Sequence, residues 1–305
     1  MPSGILIIDK SPGWTSQDVA ARLRGLYAER RVGHGGTLDP MATGVLPVFL
    51  GRATRAVPFF EHADKVYEAG LRLGLVTDTQ DVTGRRLEEH PVDITPEQLE
   101  AALARFRGPI LQVPPMYSAI KVNGQKLYAL ARQGREIERA PRPVTIYELK
   151  QLADSVCKDG QCSSADKQCL GQHRCVKLLV HCSKGTYVRT LCHDVGQALG
   201  CGGCMAALRR VRAGRYGIAE AHTLEEILSA PDPTALLLPT DSLFADRPAV
   251  TVNEQGERKL RNGASLRAAG HADGEYRVYG PGGDFLALCA LTQGELRTIK
   301  SFFEV

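Results

Sequence analysis

The sequence predicts a mixed α+β fold, with a large domain on a mainly antiparallel sheet followed by a small β-rich module. Three observations predict it. Apolar strand-like runs and amphipathic helical stretches interleave irregularly, without the regular alternation that builds a doubly wound parallel sheet. A proline-rich, aperiodic stretch near 231–248 reads as a linker. Beyond it lie short strand patterns punctuated by glycine, at 276–279 and 285–288. At 305 residues and 43% hydrophobic content, the chain has room for both parts and for a sizeable core.

Taken in order, Ile5-Leu6-Ile7-Ile8 reads as a short buried strand, ended by the turn Asp9-Lys10-Ser11-Pro12-Gly13. A helix follows over about 16–28, with Ser16 as N-cap and Val19, Leu23, Leu26 and Tyr27 as its buried stripe. Residues 66–76 alternate in polarity as a half-buried strand does. Thr95-Pro96-Glu97-Gln98 is a capping box with proline at the first helical position, opening a helix that runs to Arg107 and stops at Gly108-Pro109. The pattern predicts a basic helix over 125–139, a strand over 144–152, and an aperiodic cysteine-rich insertion over 153–175. A strand resumes at 176–182, a helix spans Tyr187 to Leu199 before Gly200, and Thr223-Leu224-Glu225-Glu226 caps another.

The bulk properties exclude some classes. No apolar run reaches membrane-spanning length, and the opening strand is too short for a signal-peptide core, so a cytoplasmic protein is expected. The net charge of +4 is mild. Residues 121–150, with seven Lys/Arg against three Glu, carry all of that excess. Arg209, Arg210, Arg212 and Arg215 form a second basic cluster. Local basic patches on a near-neutral chain suit a phosphate backbone, or a solvated charged face. Eight of the nine cysteines fall between 157 and 204. Their spacing is looser than a zinc ribbon's, apart from the pair Cys201 and Cys204, so no metal site is assigned.

The most informative stretch is Gly33-His34-Gly35-Gly36-Thr37-Leu38-Asp39-Pro40. It presents a carboxylate on a glycine-permitted turn, as nucleophilic chemistry requires, although a turn-forming Asp would look the same. It is not a Walker loop, because no Gly-Lys-Ser/Thr ending follows, nor a dinucleotide fingerprint, because Leu38 stands where the third glycine belongs. Tyr67 heads a strand, and Ser183 to Thr190 joins a strand end to a helix start, bringing a basic residue at Arg189.

Together these stretches resemble the TruB family of tRNA pseudouridine synthases. Lys10 to Ser16 is similar to the family's first motif, Gly33 to Pro47 to its catalytic motif, Lys65-Val66-Tyr67 to its tyrosine motif, and Ser183 to Thr190 to the motif bearing the active-site arginine. Gly74 to Asp81, Pro115 to Ala119 and Leu208-Arg209-Arg210 also fit, so the resemblance covers about residues 4–225.

The resemblance implies a pseudouridine synthase fold in which residues 1–240 form the catalytic domain, with a thumb-like basic insertion at about 109–142, and residues 247–305 form a PUA-like RNA-binding domain. It implies Asp39, Tyr67 and Arg189 as catalytic residues. It implies RNA contacts at His34, Lys10, Asp81, Tyr187, Leu208, Lys121 and Arg132, with His34 taking the place of the flipped nucleotide. The implied substrate is uridine 55 in the TΨC loop of tRNA, bound through the T-arm by a monomer that needs no cofactor, metal or obligate protein partner. Two alternatives share the scaffold: a non-catalytic RNA-binding or RNA-folding protein, and a guide-dependent pseudouridine synthase. The cysteine-rich insertion has no counterpart in the family.

Overall fold

A computed structural model describes residues 2–118, 120–122, 124–156, 175–268 and 270–304. The chain begins with β1 (Gly4–Lys10), α1 (Ser16–Leu26), β2 (Val32–His34) and β3 (Thr43–Leu50), then the single turn α2 (Val57–Phe60). There follow β4 (Lys65–Leu73), β5 (Leu75–Thr77), β6 (Arg86–Glu89), α3 (Pro96–Ala104) and β7 (Gly108–Gln112). The hairpin β8 (Lys121–Val122) and β9 (Gln125–Lys126) leads into α4 (Leu127–Arg132). The long strands β10 (Arg142–Val156) and β11 (Cys175–Cys182) precede α5 (Val188–Ala198) and β12 (Gly203–Ala213). After these come β13 (Tyr216–Gly217), β14 (His222–Thr223) and α6 (Leu224–Ser229). The C-terminal part holds β15 (Ala249–Thr251), α7 (Glu254–Arg261), β16 (Leu266–Arg267), β17 (Gly274–Tyr279), β18 (Phe285–Thr292) and β19 (Glu295–Ser301).

The main sheet runs β14-β1-β3-β12-β4-β11-β10-β7, with β2 beside β3 and β13 beside β12. Among the described residues of this sheet only β1–β14 and β3–β12 pair in parallel, so the expected mixed, mainly antiparallel sheet is present. The second sheet, β15-β17-β18-β19-β16, is the expected C-terminal β-rich unit.

Burial of β1 on both faces explains its unbroken apolar run, since alternate residues point to opposite sides. Leu6 and Ile8 join α1, α3, α5 and α6 in one core through Val19, Leu99, Leu191 and Ile227. Ile5 and Ile7 face the other way, packing with Phe49, Phe60, Tyr216, Phe244, Leu288 and Phe302. Phe244 touches Phe59, Phe285 and Phe302 at ring distances of 5.4, 6.2 and 5.9 Å, and so joins the two sheets.

Several expectations change. The N-cap of α1 is Thr15, whose side chain forms a capping box with Asp18; Ser16 is instead buried. The strand over 66–76 is two strands, broken at Gly74. The helix over 125–139 shrinks to Leu127–Arg132, because Gln125 and Lys126 pair back onto Val122 and Lys121. A small core of Met116, Leu127 and Leu130 holds this basic segment together.

Residues 231–248 are no loose linker. Leu238 pairs with Ile5 through backbone bonds of 2.8 Å in both directions, and Phe244 is buried. The segment is aperiodic because it packs through turns, not because it is free. Strand β10 runs on to Val156 and β11 starts at Cys175, which narrows the expected insertion. The remainder of that expectation, with Cys157, Cys162 and Cys169, lies outside the described residues.

Phe244→Ala is expected to cost about 3–5 kcal/mol, the usual loss for a buried phenylalanine. Urea denaturation followed by fluorescence checks this; an unchanged midpoint would show that the two sheets are not coupled through this ring.

Candidate active site

The loop between β2 and β3 is shaped by two glycines with different reasons. A Cβ on Gly35 would lie 2.4 Å from Cδ1 of Phe60, so Gly35 makes room for that ring. Gly36 takes a φ of +102°, a left-handed conformation costly for other residues, and is exposed. Of these two, only Gly36 leaves the loop open to an approaching ligand.

The first turn buttresses this loop. Lys10 is buried, and its Nζ donates to the carbonyls of Ser11, Trp14 and Pro40 at 3.0, 2.8 and 3.2 Å. Ser16 Oγ accepts from the Leu38 amide at 2.9 Å, and the Gly13 amide donates to Pro40 O at 2.8 Å. Lys10, expected at the RNA, is thus spent on holding the loop.

Asp39 meets Arg189, which α5 carries in its first turn. Nε of Arg189 lies 3.0 Å from Oδ2 and Nη2 donates to Oδ1 at 3.4 Å, a two-pronged pairing. Arg189 is buried and also donates to Tyr117 O at 2.9 Å and Thr79 O at 3.3 Å. Asp81 Oδ2 sits 3.6 Å from its Nη1. Asp81 itself is buried, its Oδ1 accepting from Thr79 Oγ1, Thr83 N and Thr83 Oγ1 at 2.9, 2.9 and 2.5 Å. Its carboxylate thus helps to fix Arg189.

Burial pushes the Asp39 carboxyl above its ordinary 3.8; the Arg189 charge opposes this, Asp81 adds to it and Lys10 opposes it. Pairing with Arg189 does not by itself restore the usual acidity. Burial also raises the Tyr67 phenol, which the Arg210 charge partly counters, so the hydroxyl stays protonated. Tyr67 lies on β4 between Val180 and Arg210.

His34, at the end of β2, has Nε2 3.4 Å from Gln17 Nε2, and its buried Nδ1 has no hydrogen-bond partner. Burial, then Arg210, lowers its pKa, leaving a neutral imidazole at pH 7. Tyr187 caps α5 and exchanges backbone bonds with the Gln112 amide at 2.8 and 3.1 Å. Leu208 is buried on β12 opposite Ala69. Lys121 is exposed on the hairpin and Arg132 ends α4, both on the basic segment.

Two cations beside the loop are buried: Arg210, which the sequence placed only within a basic cluster, and Lys65, to which it assigned no role. Arg210, only 1% exposed, donates from Nε to Val45 O at 2.6 Å and from Nη2 to Gly36 O at 3.2 Å. Lys65 is buried next to it. Both stood inside recognised motifs, but a charged residue on a strand reads as exposed unless its neighbours are known. Cys192, Cys201 and Cys204 are buried thiols, and burial pushes that of Cys204 up to about 12. Among the described residues, no three His, Cys, Asp or Glu converge to hold a metal, and no helix is long and apolar enough to cross a membrane.

The fold is shared with solved structures. An H/ACA ribonucleoprotein bound to a substrate RNA containing 2′-deoxyuridine superposes with a TM-score of 0.69, at 23% identity, over 99% of this chain and 85% of that one. An archaeal box H/ACA complex gives 0.67, at 23% identity, over 99% and 86%. What these likenesses share with the chain is the fold: a mixed sheet, here carrying a carboxylate and an arginine paired through the β2–β3 loop and α5.

The model of the TruB family pseudouridylate synthase N-terminal domain matches residues 24–188, and that of the tRNA pseudouridylate synthase B C-terminal domain matches 189–245. The tRNA pseudouridine synthase B of Ralstonia pickettii is 45% identical over 282 residues, covering 91% of this chain and 84% of its own. That of an Azoarcus species is 43% identical over 296 residues, covering 96% and 93%. The chain belongs to the TruB family.

Burial lowers the Lys10 ammonium from 10.5 to about 8, against the pull of Asp39. Between those values the unfolded chain keeps a proton that the folded chain has lost, so this group makes stability rise with pH there. Lys10→Met is expected to flatten that rise, read as urea midpoints across the window. An unaltered slope would show that Lys10 stays charged in the fold.

Proposed function

We propose that this enzyme isomerises uridine 55 in the TΨC loop of tRNA to pseudouridine, with Asp39 as the reacting carboxylate. The observation that carries the reading is the two-pronged Arg189–Asp39 pair, its arginine buried and its carboxylate partly exposed on an open loop, with Tyr67 in the field of Asp39. Its relatives named tRNA pseudouridine synthase B, at 43–45% identity, favour direct use of tRNA over guide-dependent action.

In this reading the uridine leaves its stack, because C1′ and C6 are otherwise out of reach. The neutral His34 ring fills the vacated space. The target base stacks on Tyr67, an interaction worth about 1–3 kcal/mol, comparable with the cost of unstacking. Tyr67, held protonated, suits stacking better than service as a phenolate base. The C1′–N1 bond breaks, the uracil turns, and a C1′–C5 bond forms as the C5 proton leaves. Attack at C1′, attack at C6 and elimination all use the ionised Asp39. Arg189 positions that carboxylate and favours its charge, and Leu208 closes the apolar side of the pocket. Residues 1–240 form the catalytic domain, and the basic segment at 109–142, with Lys121 and Arg132, grips the T-arm. The unit at 247–305 serves as a PUA-like RNA-binding domain. The enzyme acts as a cytoplasmic monomer.

The isomerisation leaves RNA mass unchanged, so the test is tritium release from C5-labelled uridine in a T-arm stem-loop. Native protein is expected to release it and Asp39→Asn to lose at least about 10³-fold, as removal of a reacting group does, while still binding RNA. Equal release would remove Asp39 from the mechanism, and none from either would favour a binding protein.

The pH profile offers a further check. The ionised carboxylate is needed, so activity should rise with pH through an acid limb above the ordinary 3.8. Arg189→Gln removes an opposing charge and is expected to move that limb further up. A limb that stays in place would exclude Arg189 as the partner that sets Asp39's ionisation.

A further inference from the structure

Arg210 and Lys65 are 1% and 8% exposed, and among the described residues no carboxylate lies within 4.0 Å of either charge. Buried cations ordinarily have an anionic partner. The nearby carboxylates are committed elsewhere: Asp39 to Arg189, Asp9 to Arg209 at 2.7 Å, and Asp64 towards His181 at 3.9 Å. Burial first, then the Arg210 charge, works against protonation of Lys65; Cys182 and Asp64 oppose this and Lys184 adds to it.

The two cations flank Gly36. At the position a Cβ would take there, the nearest atoms are Nη1 of Arg210 at 3.7 Å and Cε of Lys65 at 3.9 Å, with nothing else within 4 Å. The space above this exposed, left-handed residue is thus open and faces positive charge. Lys184, exposed and with its Nζ donating to His62 Nδ1 at 2.8 Å, extends the charge outward.

We propose that Arg210 and Lys65 form the seat of an RNA backbone phosphate, which docks over Gly36 on the catalytic loop. The proposal rests on RNA being the substrate. With Nε and Nη2 of Arg210 bonded to Val45 O and Gly36 O, it is Nη1 that faces this space and can donate to a phosphate oxygen, and Lys65 adds a point charge beside it. Turning a nucleotide out of its stack rotates it about its flanking linkages, so a phosphate held at Gly36 would fix the pivot while Asp39, on the same loop, meets the sugar. The anion would also relieve the repulsion between the two cations. Gly36 is then the residue that keeps the phosphate's path clear.

The test uses T-arm stem-loops, each carrying one neutral methylphosphonate linkage near the target uridine. With native protein, one linkage flanking the target is expected to weaken binding about tenfold, the scale of a lost charge-assisted contact. Lys65→Met should bind unmodified RNA correspondingly less well, become insensitive to that linkage, and show a salt slope smaller by about 0.7–0.9. Lys65→Arg, which keeps the charge, should retain the sensitivity.

Additive losses from the linkage and from Lys65→Met would overturn the proposal. So would the absence of a sensitive linkage with native protein, a readout that stands even if Lys65→Met fails to fold. Tritium release by native protein on unmodified RNA is scored separately. Release without a sensitive linkage would sink the phosphate seat alone, and a sensitive linkage without release would sink the isomerase reading alone.

Discussion

The pairing of Asp39 with Arg189 is the constraint on which the rest of the site depends. A carboxylate on a loop must stay open enough to meet substrate, yet rigid enough to meet it in one place. The chain meets this by spending other polar groups on support. Arg189 is held by two carbonyls, of Thr79 and Tyr117, and by Asp81. Asp81 is held by Thr79 and Thr83, and the segment carrying it is pinned to β12 by Gln80 and Val82 bonding to Met205. From the other side Lys10 and Ser16 grip Pro40 and Leu38. Segments far apart in the chain thus converge on one ion pair.

That convergence explains the large number of buried charges. Lys10, Lys65, Arg189, Arg210 and Asp81 are all buried around one loop, an arrangement that stability alone would not favour, since each ion loses hydration on burial. The cost is tolerable because backbone carbonyls and paired carboxylates take most of the donors. Around Gly36 the balance stays positive, which suits a site that receives a polyanion.

Much of this was legible in the residues. The capping boxes at Thr95 and Thr223 form as written, because they depend only on side chains three residues apart. The opening strand, the helix after Tyr187 and the antiparallel character of the sheet also follow from local pattern. Errors gathered where long-range packing overrides it. The basic helix shortened because Gln125 and Lys126 found strand partners, and 231–248 looked like a linker because its burial against β1 and β18 leaves no period in the sequence. Ser16 was mistaken for a cap because Thr15 and Ser16 are both good caps, and only the fold decides which one faces inward.

The sequence by itself determined the element types, the mixed sheet, the carboxylate on its glycine loop and the motifs that tie the chain to its family, since all of these rest on residue type and spacing. Only the tertiary structure decided what each charge does. Lys10 and Asp81 support the loop and Arg189, Gly35 makes room for Phe60, and Arg210, one arginine in a basic cluster, is a buried neighbour of the Asp39 loop. The physical reason is that a charged group's role is set by burial and by which partners come within a few ångströms, and those partners stand far off in the chain, 174 residues apart for Arg210 and Gly36.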